Sequence, residues 1–132
     1  MPKRIVIIDD EEYIRIPIQD YFEDCGWNVS AFNSGEEALK YLEAEEADCV
    51  IVDMRLPGMT GLEFIDRAWK LRGGLRFVIY TGSVDFNITE NLIKVGITQD
   101  CIVHKPAENL SDLLKAAEGK SGCGERYDGI PG

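Results

Sequence analysis

Short apolar runs rich in β-branched residues alternate along the chain with longer segments in which apolar residues recur at helical spacing. The short runs predict five strands, over 4–8, 28–32, 49–52, 76–80 and 101–104. The longer segments predict five helices, over 11–24, 34–45, 61–72, about 85–95 and about 108–118. Strict alternation of strand and helix predicts an α/β fold, with helices on both faces of a doubly wound parallel sheet.

Two of the predicted helices begin with capping signals. Ser34 stands three residues before Glu37, and Thr60 stands three residues before Glu63. This spacing is typical of a capping box, in which the two side chains satisfy free amide groups of the first turn. Pro17 lies inside the first predicted helix, where the missing amide donor predicts a kink or a local bulge.

The composition indicates one globular domain that carries excess negative charge. The chain has 132 residues, 45% of them hydrophobic, and 14 basic against 24 acidic residues give a net charge of -10. No apolar run approaches the roughly 18 residues of a membrane span, and the start lacks a secretory signal. We therefore expect a cytoplasmic protein with no membrane partner. The absence of a basic cluster argues against direct binding of nucleic acid by this domain.

The last fourteen residues differ from the rest of the chain. The segment "GKSGCGERYDGIPG" contains five glycines and has no hydrophobic periodicity. We therefore expect a domain over 1–118, followed by a flexible glycine-rich tail or linker over 119–132.

The four cysteines are scattered and form no CxxC pair. Their spacing favours buried free thiols over a zinc site or a disulfide framework. They are Cys25, Cys49, Cys101 and Cys123.

Four carboxylates follow the first predicted strand directly, in "IVIIDDEEY". Asp9, Asp10, Glu11 and Glu12 repel one another, and removing them from water is costly. Taken alone, they are more typical of a solvated helix N-terminus, where the helix dipole stabilises negative charge. The other interpretation is a site that binds something positive.

Other polar residues follow the remaining predicted strands and favour a binding site. Ligands of an open parallel sheet bind beyond the carboxyl ends of the strands, near the point where strand order reverses. Asp9 and Asp10 follow the first strand, Asp53 the third, Thr81 the fourth and Lys105 the fifth. Any one of these residues can be explained as part of a turn or a strand exit, but together they favour a common site.

The chemistry of this set fits a divalent cation and a phosphate. Three carboxylates about 4 to 5 Å apart repel by several kcal/mol at an effective dielectric near 20, so they require a counter-ion. Mg²⁺ prefers oxygen ligands and is often held by carboxylates together with phosphate oxygens. The Lys105 ammonium and the Thr81 hydroxyl can bind phosphate oxygens, and Asp53 can act as a nucleophile that forms an acyl phosphate.

Four segments of the chain resemble, in order, the motif regions of the receiver domains of two-component response regulators. They are "IVIIDDEE", "VIVDMRLPGMTG", "VIYTGS" and "VHKP", and the resemblance covers nearly all of 3–118. It implies a CheY-like, flavodoxin-like sheet of five strands in the order 2-1-3-4-5. It also implies a signalling module of a phosphorelay, not a conventional turnover enzyme. A sensor histidine kinase or phosphotransfer protein would supply the phosphoryl group, and an output domain or target protein would respond. A homodimer is compatible with the sequence.

The resemblance also implies roles for individual residues of the acidic set. Asp53 would accept the phosphoryl group. Asp10 and Asp53 would bind Mg²⁺ directly together with the backbone carbonyl of Arg55, and Asp9 would act through water.

The same resemblance assigns residues that respond to the phosphoryl group or tune its lifetime. Lys105 would contact the phosphoryl group, and Thr81 would move toward it as a switch. Arg55 and Ser83 stand two residues after Asp53 and Thr81, and in this family such side chains overhang the site and affect the attacking water.

The chain departs from the family pattern near the fifth strand. Ile102 occupies a position that is usually aromatic, three residues before Lys105. The segment "GITQDCIVHK" also has about two more residues between its Gly and its Lys than is usual. By strand alternation, Ile102 shares a face with His104, which we assign to the same switch surface. Since an aliphatic side chain has no ring to reorient, the response is expected to depend on the loop after Thr81 and the following helix.

Three other protein classes compete with this interpretation. An aspartate-nucleophile phosphatase of the haloacid dehalogenase type carries a second Asp two residues after the nucleophile, where this chain has Arg55. A flavodoxin relative would have hydroxyls and Gly, not carboxylates, after the first strand. A receiver-like interaction domain that works without phosphorylation would be indicated by loss of Asp53 or Lys105, and both residues are present.

Overall fold

The computed structural model describes residues 3–82, 89–107 and 109–119, which form a layered α/β arrangement. The strands are β1 (Arg4–Ile8), β2 (Asn28–Phe32), β3 (Cys49–Val52), β4 (Arg76–Thr81) and β5 (Ile102–His104). The helices are α1 (Glu12–Asp24), α2 (Gly35–Ala44), α3 (Gly61–Leu71), α4 (Glu90–Lys94) and α5 (Ser111–Glu118), with a 3-10 turn at Gln99–Cys101. Each predicted strand and helix is present. The first part of the predicted fourth helix and most of the predicted tail lie outside the described residues.

All five strands are parallel and form one sheet in the order β2-β1-β3-β4-β5, which confirms the predicted fold class. Strand order reverses at β1 and β3, where Ile8 pairs with Val52. The residues that follow these two strands, Asp9 and Asp53, therefore lie side by side. Their amides continue the sheet, since the Asp53 amide donates to the Ile8 carbonyl and the Asp9 amide to the Phe32 carbonyl, each at 3.2 Å.

Alternate residues of the inner strands face two separate cores. Val6, Ile8, Val50 and Val52 pack on the side of α2, α3 and α4. Ile5, Ile7, Cys49 and Ile51 pack on the side of α1 and α5. Because β1 and β3 are buried on both faces, their backbones are held from both sides, and this fixes the carboxyl ends from which the acidic residues project.

Local capping defines the start of two helices, in full as predicted at Thr60 and by one of the two predicted bonds at Ser34. The Thr60 hydroxyl accepts the Glu63 amide, and the Glu63 carboxylate accepts the Thr60 amide, so the capping box is complete. The Ser34 hydroxyl accepts the Glu37 amide at 3.3 Å. Helix α1 continues through Pro17 as a single helix over Glu12–Asp24.

The prediction that the cysteines are buried is confirmed at two positions and is wrong at one. Cys49 and Cys101 are buried free thiols, and burial raises the pKa of Cys49 to about 12. Cys25 is exposed because it follows the last turn of α1. Cys123 lies outside the described residues.

No helix within the described ranges is both long enough and apolar enough to cross a membrane.

Helix α3 begins in direct contact with the backbone that follows β3. A Cβ atom on Gly61 would lie 2.6 Å from the Asp53 carbonyl oxygen and 2.7 Å from the Met54 Cα. The Gly61 amide donates to the Met54 carbonyl at 3.2 Å. Only glycine permits this approach, so Gly61 fixes the loop that carries Asp53 against the start of α3.

We predict that Gly61→Ala destabilises the protein by about 1–3 kcal/mol, because its methyl group must displace backbone atoms. Gly74→Ala is the matched control, since a Cβ there meets nothing within 4 Å, and we expect it to change stability by less than about 0.5 kcal/mol. Urea unfolding of both variants measures the difference. Equal free energies of unfolding would show that the close contact does not constrain this loop.

Candidate functional site

Three carboxylates meet at the carboxyl edge of the sheet. Asp9 and Asp10 follow β1, Asp53 follows β3, and one oxygen of each lies within 4.8 Å of the others. Asp9 is 2% exposed and Asp53 is 5% exposed, whereas Asp10 is exposed. Two of the acids are thus largely removed from water, and the third faces solvent beside them.

Lys105, which follows β5, provides the positive charge at the centre of the cluster. Its Nζ atom lies 2.9 Å from Asp9 Oδ2 and 2.9 Å from Asp53 Oδ2. The lysine side chain is 12% exposed, so the ion pairs are largely shielded from solvent. One ammonium against three carboxylates still leaves the site with excess negative charge.

The two buried carboxylates are held in the same way. The second oxygen of each accepts the backbone amide two residues later, from Glu11 to Asp9 Oδ1 and from Arg55 to Asp53 Oδ1, both at 3.0 Å. Each carboxylate therefore has one oxygen on a fixed amide and the other on the Lys105 ammonium. This arrangement fixes the orientation of both groups before any ligand binds.

Burial and hydrogen bonding act on the pKa values in opposite directions. Burial raises the pKa of Asp9 above 3.8, although the hydrogen bonds from Lys105 and from the Glu11 amide lower it in part. Burial by itself would lower the pKa of Lys105, but hydrogen bonds and charge attraction from Asp9 and Asp53 outweigh burial, and its pKa is raised. Lys105 is therefore charged at neutral pH.

Residues at the end of β4 hold Lys105 in position. The Lys105 amide donates to the Thr81 carbonyl at 2.8 Å, and its ammonium lies 5.5 Å from the centre of the Tyr80 ring. The Tyr80 hydroxyl accepts the Ala107 amide at 2.9 Å, two residues beyond Lys105. Tyr80 was not singled out from the sequence, because its contact with the β5 exit depends on the register between β4 and β5.

The residues predicted to switch or tune the site lie in different environments. Thr81 is fully buried at the end of β4, and Arg55 is exposed beside Asp53. Ile102 is partly buried against the core on the side of α2, α3 and α4, and His104 on the same strand is exposed. Ser83 lies outside the described residues.

The donor set suits a hard divalent cation. The converging ligand atoms are all carboxylate oxygens, and Mg²⁺ prefers such oxygens. The Arg55 backbone adjoins them, since its amide lies 3.0 Å from Asp53 Oδ1. The excess negative charge of the cluster favours a cation as well. The residues present therefore fit Mg²⁺.

The sheet order and the acidic carboxyl edge together define a doubly wound, flavodoxin-like α/β domain with a candidate site at its topological switch point. The sequence model of the protein family described as response regulator receiver domain matches residues 5–118. The chain therefore belongs to the response regulator receiver domain family, which consists of signalling modules of two-component systems and not of conventional enzymes.

Two known proteins are similar in sequence to this chain. The C4-dicarboxylate transport transcriptional regulatory protein DctD of Rhizobium meliloti is 34% identical over 118 residues, 88% of this chain and 25% of that protein. Sporulation initiation phosphotransferase F of Bacillus subtilis is 29% identical over 96 residues, 73% of this chain and 77% of that protein. The chain thus spans about a quarter of the first relative's length and most of the second's.

Solved structures show the same fold. A CheY-like receiver domain from Methanospirillum hungatei superposes with a TM-score of 0.78 at 30% identity, covering 91% of this chain and 94% of that one. A response regulator from Burkholderia pseudomallei, solved with a phosphorylated aspartic acid, a calcium ion and citrate, superposes with a TM-score of 0.76 at 29% identity, covering 87% of this chain and 66% of that one.

We predict that ionised Asp9 costs folding free energy in the metal-free protein. Its folded-state pKa lies above 3.8, so the folded state binds more protons than the unfolded state between 3.8 and that raised value. The contribution of Asp9 to the free energy of unfolding therefore decreases as pH rises through this window. Asp9→Asn should gain stability relative to wild type as pH rises from about 4 to about 7.

Urea unfolding in EDTA across this pH range tests the effect of Asp9. Asp20→Asn, at an exposed position of α1, removes one carboxylate away from the site and is the matched control. A pH-independent difference for Asp9→Asn would contradict the assignment.

Proposed function

We propose that this chain is a phosphorylation-controlled signalling module that accepts a phosphoryl group on Asp53 with the help of Mg²⁺. The observation that carries the proposal is the partly buried Lys105 ammonium, bonded to both Asp9 and Asp53 at 2.9 Å. A lysine held in this way keeps a positive charge next to the proposed nucleophile. It is therefore placed to move from a carboxylate to an incoming phosphoryl oxygen.

The proposed reaction is transfer from a phosphohistidine of a sensor histidine kinase or phosphotransfer protein. An Asp53 oxygen attacks phosphorus, a new P–O bond forms, and the P–N bond breaks. Its electron pair returns to the imidazole nitrogen, and the product on Asp53 is an acyl phosphate. Each Asp53 oxygen accepts one hydrogen bond and has two lone pairs, so a lone pair remains available for attack.

Asp10, Asp53 and the backbone carbonyl of Arg55 would hold the metal, with Asp9 acting through water. Bound Mg²⁺ would supply charge neutralisation between these carboxylates and the transferring phosphoryl oxygens. The phosphorylated aspartic acid and calcium ion in the Burkholderia pseudomallei protein support this pairing of aspartate and divalent cation.

The proposed output begins at Thr81. Its hydroxyl would bond the phosphoryl group and draw the segment that follows β4 toward the site. Ile102 and His104 belong to the surface that would register this movement, while Arg55 and Ser83 would tune the lifetime of the phosphoryl group. An output domain or target protein would respond to the change, as the regulatory names of several relatives suggest.

We predict that acetyl phosphate and Mg²⁺ add one phosphoryl group to the protein, in an acid-stable and base-labile bond. Asp53→Asn should remove this labelling, because an amide oxygen cannot form the acyl phosphate. Asp66→Asn is the matched control, since Asp66 lies on the surface of α3 in an exposed ion pair with Lys70, and it should be labelled like wild type.

Intact-mass and peptide measurements follow this phosphorylation. Undiminished labelling of Asp53→Asn would reject Asp53 as the acceptor. A wild-type protein that takes up no phosphoryl group from acetyl phosphate would favour a receiver-fold interaction domain that works without phosphorylation.

We predict that Thr81→Ala still accepts the phosphoryl group but loses most of the conformational response, because the hydroxyl that would bond to it is gone. Thr81→Ser keeps a hydroxyl and should retain the response, and Ile102→Ala should alter it only modestly. Amide exchange compared between the free and Mg²⁺-beryllofluoride forms measures the response. Exchange changes in wild type confined to residues that contact the ligand, with none over 82–95, would contradict the mechanism.

A further inference from the structure

Arg15 contacts the backbone of the candidate metal site from the first turn of α1. Its Nη1 atom donates to the Asp9 backbone carbonyl at 2.7 Å, and its side chain is only 14% exposed. The nearest acidic side chain on its own helix, Glu12, is 3.9 Å from the guanidinium. The helix dipole opposes a cation in the first turn, and Glu12 is 78% exposed, so the short hydrogen bond to the Asp9 carbonyl is the stronger contact of Arg15.

The Ile8 carbonyl accepts a hydrogen bond from the Asp53 amide, which follows the neighbouring strand β3. The Asp9 carbonyl is the next one along the chain. It belongs to the peptide group that joins Asp9 to Asp10. Because that group is planar and includes the Asp10 amide nitrogen and Cα, fixing its oxygen also restricts the position of the Asp10 Cα. Arg15 therefore holds the peptide that aims the Asp10 side chain.

Asp10 is the acid whose placement most needs such support. It is exposed, although its carboxylate oxygen lies within 4.8 Å of oxygens of Asp9 and Asp53. Asp9 and Asp53 are each held by an amide and by Lys105. Within the described residues, no hydrogen bond or ion pair holds the Asp10 carboxylate itself, so its position depends on the backbone.

We propose that Arg15 is a positioning residue of the metal site. By holding the Asp9–Asp10 peptide, it keeps the Asp10 carboxylate directed toward Asp53 and so raises the affinity for Mg²⁺. This inference rests on the proposed function, in which Asp10 is a metal ligand.

A positioning role and a purely electrostatic role predict opposite changes in Mg²⁺ affinity when Arg15 is replaced. The guanidinium is a positive charge near the cluster, and by Coulomb repulsion alone its removal would tighten Mg²⁺ binding. Loss of a positioning contact has the opposite effect, because Asp10 then samples orientations that do not bind. The direction of the change in affinity therefore separates the two roles.

The test is calorimetric titration of Mg²⁺ at constant ionic strength into wild type, Arg15→Met and Arg15→Gln, each shown to be folded by circular dichroism. Both variants should bind Mg²⁺ about tenfold more weakly, as is typical when a residue that orients a metal ligand is lost. Arg67→Met, at an exposed position of α3, removes the same charge away from the Asp9 backbone and should bind like wild type. Equal or tighter binding by either Arg15 variant would overturn the proposal.

Two further measurements distinguish positioning from a general loss of stability. In labelling by acetyl phosphate, the Mg²⁺ concentration for half-maximal rate should rise about tenfold in Arg15→Met, while the rate at saturating Mg²⁺ stays close to that of wild type. In metal-free protein, the Asp10 amide should exchange faster in the variant. A lowered saturating rate with an unchanged Mg²⁺ requirement would refute the positioning role. A wild-type protein that binds no Mg²⁺ would instead contradict the proposed function together with this inference.

Discussion

The ion pairs from the Lys105 ammonium to Asp9 and Asp53 are the interaction on which the candidate site depends. Strand order reverses between β1 and β3, so the acids that follow these strands lie next to each other. Burying two like charges is unfavourable unless a counter-charge is buried with them. Lys105 supplies that charge from the end of β5, at 2.9 Å from each carboxylate. The fold thus holds together a cluster that would otherwise repel itself.

Rigid supports keep the members of this cluster in place. Both faces of β1 and β3 are packed, the close contact at Gly61 holds the backbone after β3, and Tyr80 fixes the exit of β5 through the Ala107 amide. Buried carboxylates that are oriented before a ligand arrives need little reorganisation when it binds. The partly neutralised but still acidic cluster is therefore suited to exchange its contacts with Lys105 for contacts with a cation and a phosphoryl group.

The sequence predicted the elements and the edge at which the polar residues meet, because hydrophobic periodicity and strand alternation are local properties. The full capping box at Thr60 and Glu63 was likewise readable from spacing alone. The contacts of Arg15 with the Asp9 carbonyl, of Gly61 with the Asp53 carbonyl and of Tyr80 with Ala107 were not predicted, because each depends on how separate elements pack. The exposure of Cys25 was missed for a related reason, since a residue at a helix end has no periodic neighbour that indicates its burial.

A crystal structure of the protein with Mg²⁺ and beryllofluoride, which takes the place of the phosphoryl group, would test the phosphoacceptor role of Asp53. We expect beryllium bonded to an Asp53 oxygen, Mg²⁺ bound by Asp10, Asp53 and the Arg55 carbonyl, and the Lys105 ammonium moved from Asp53 to a fluoride. A complex in which beryllofluoride binds away from Asp53, or in which Lys105 keeps its bond to Asp53 while a metal binds elsewhere, would contradict this role.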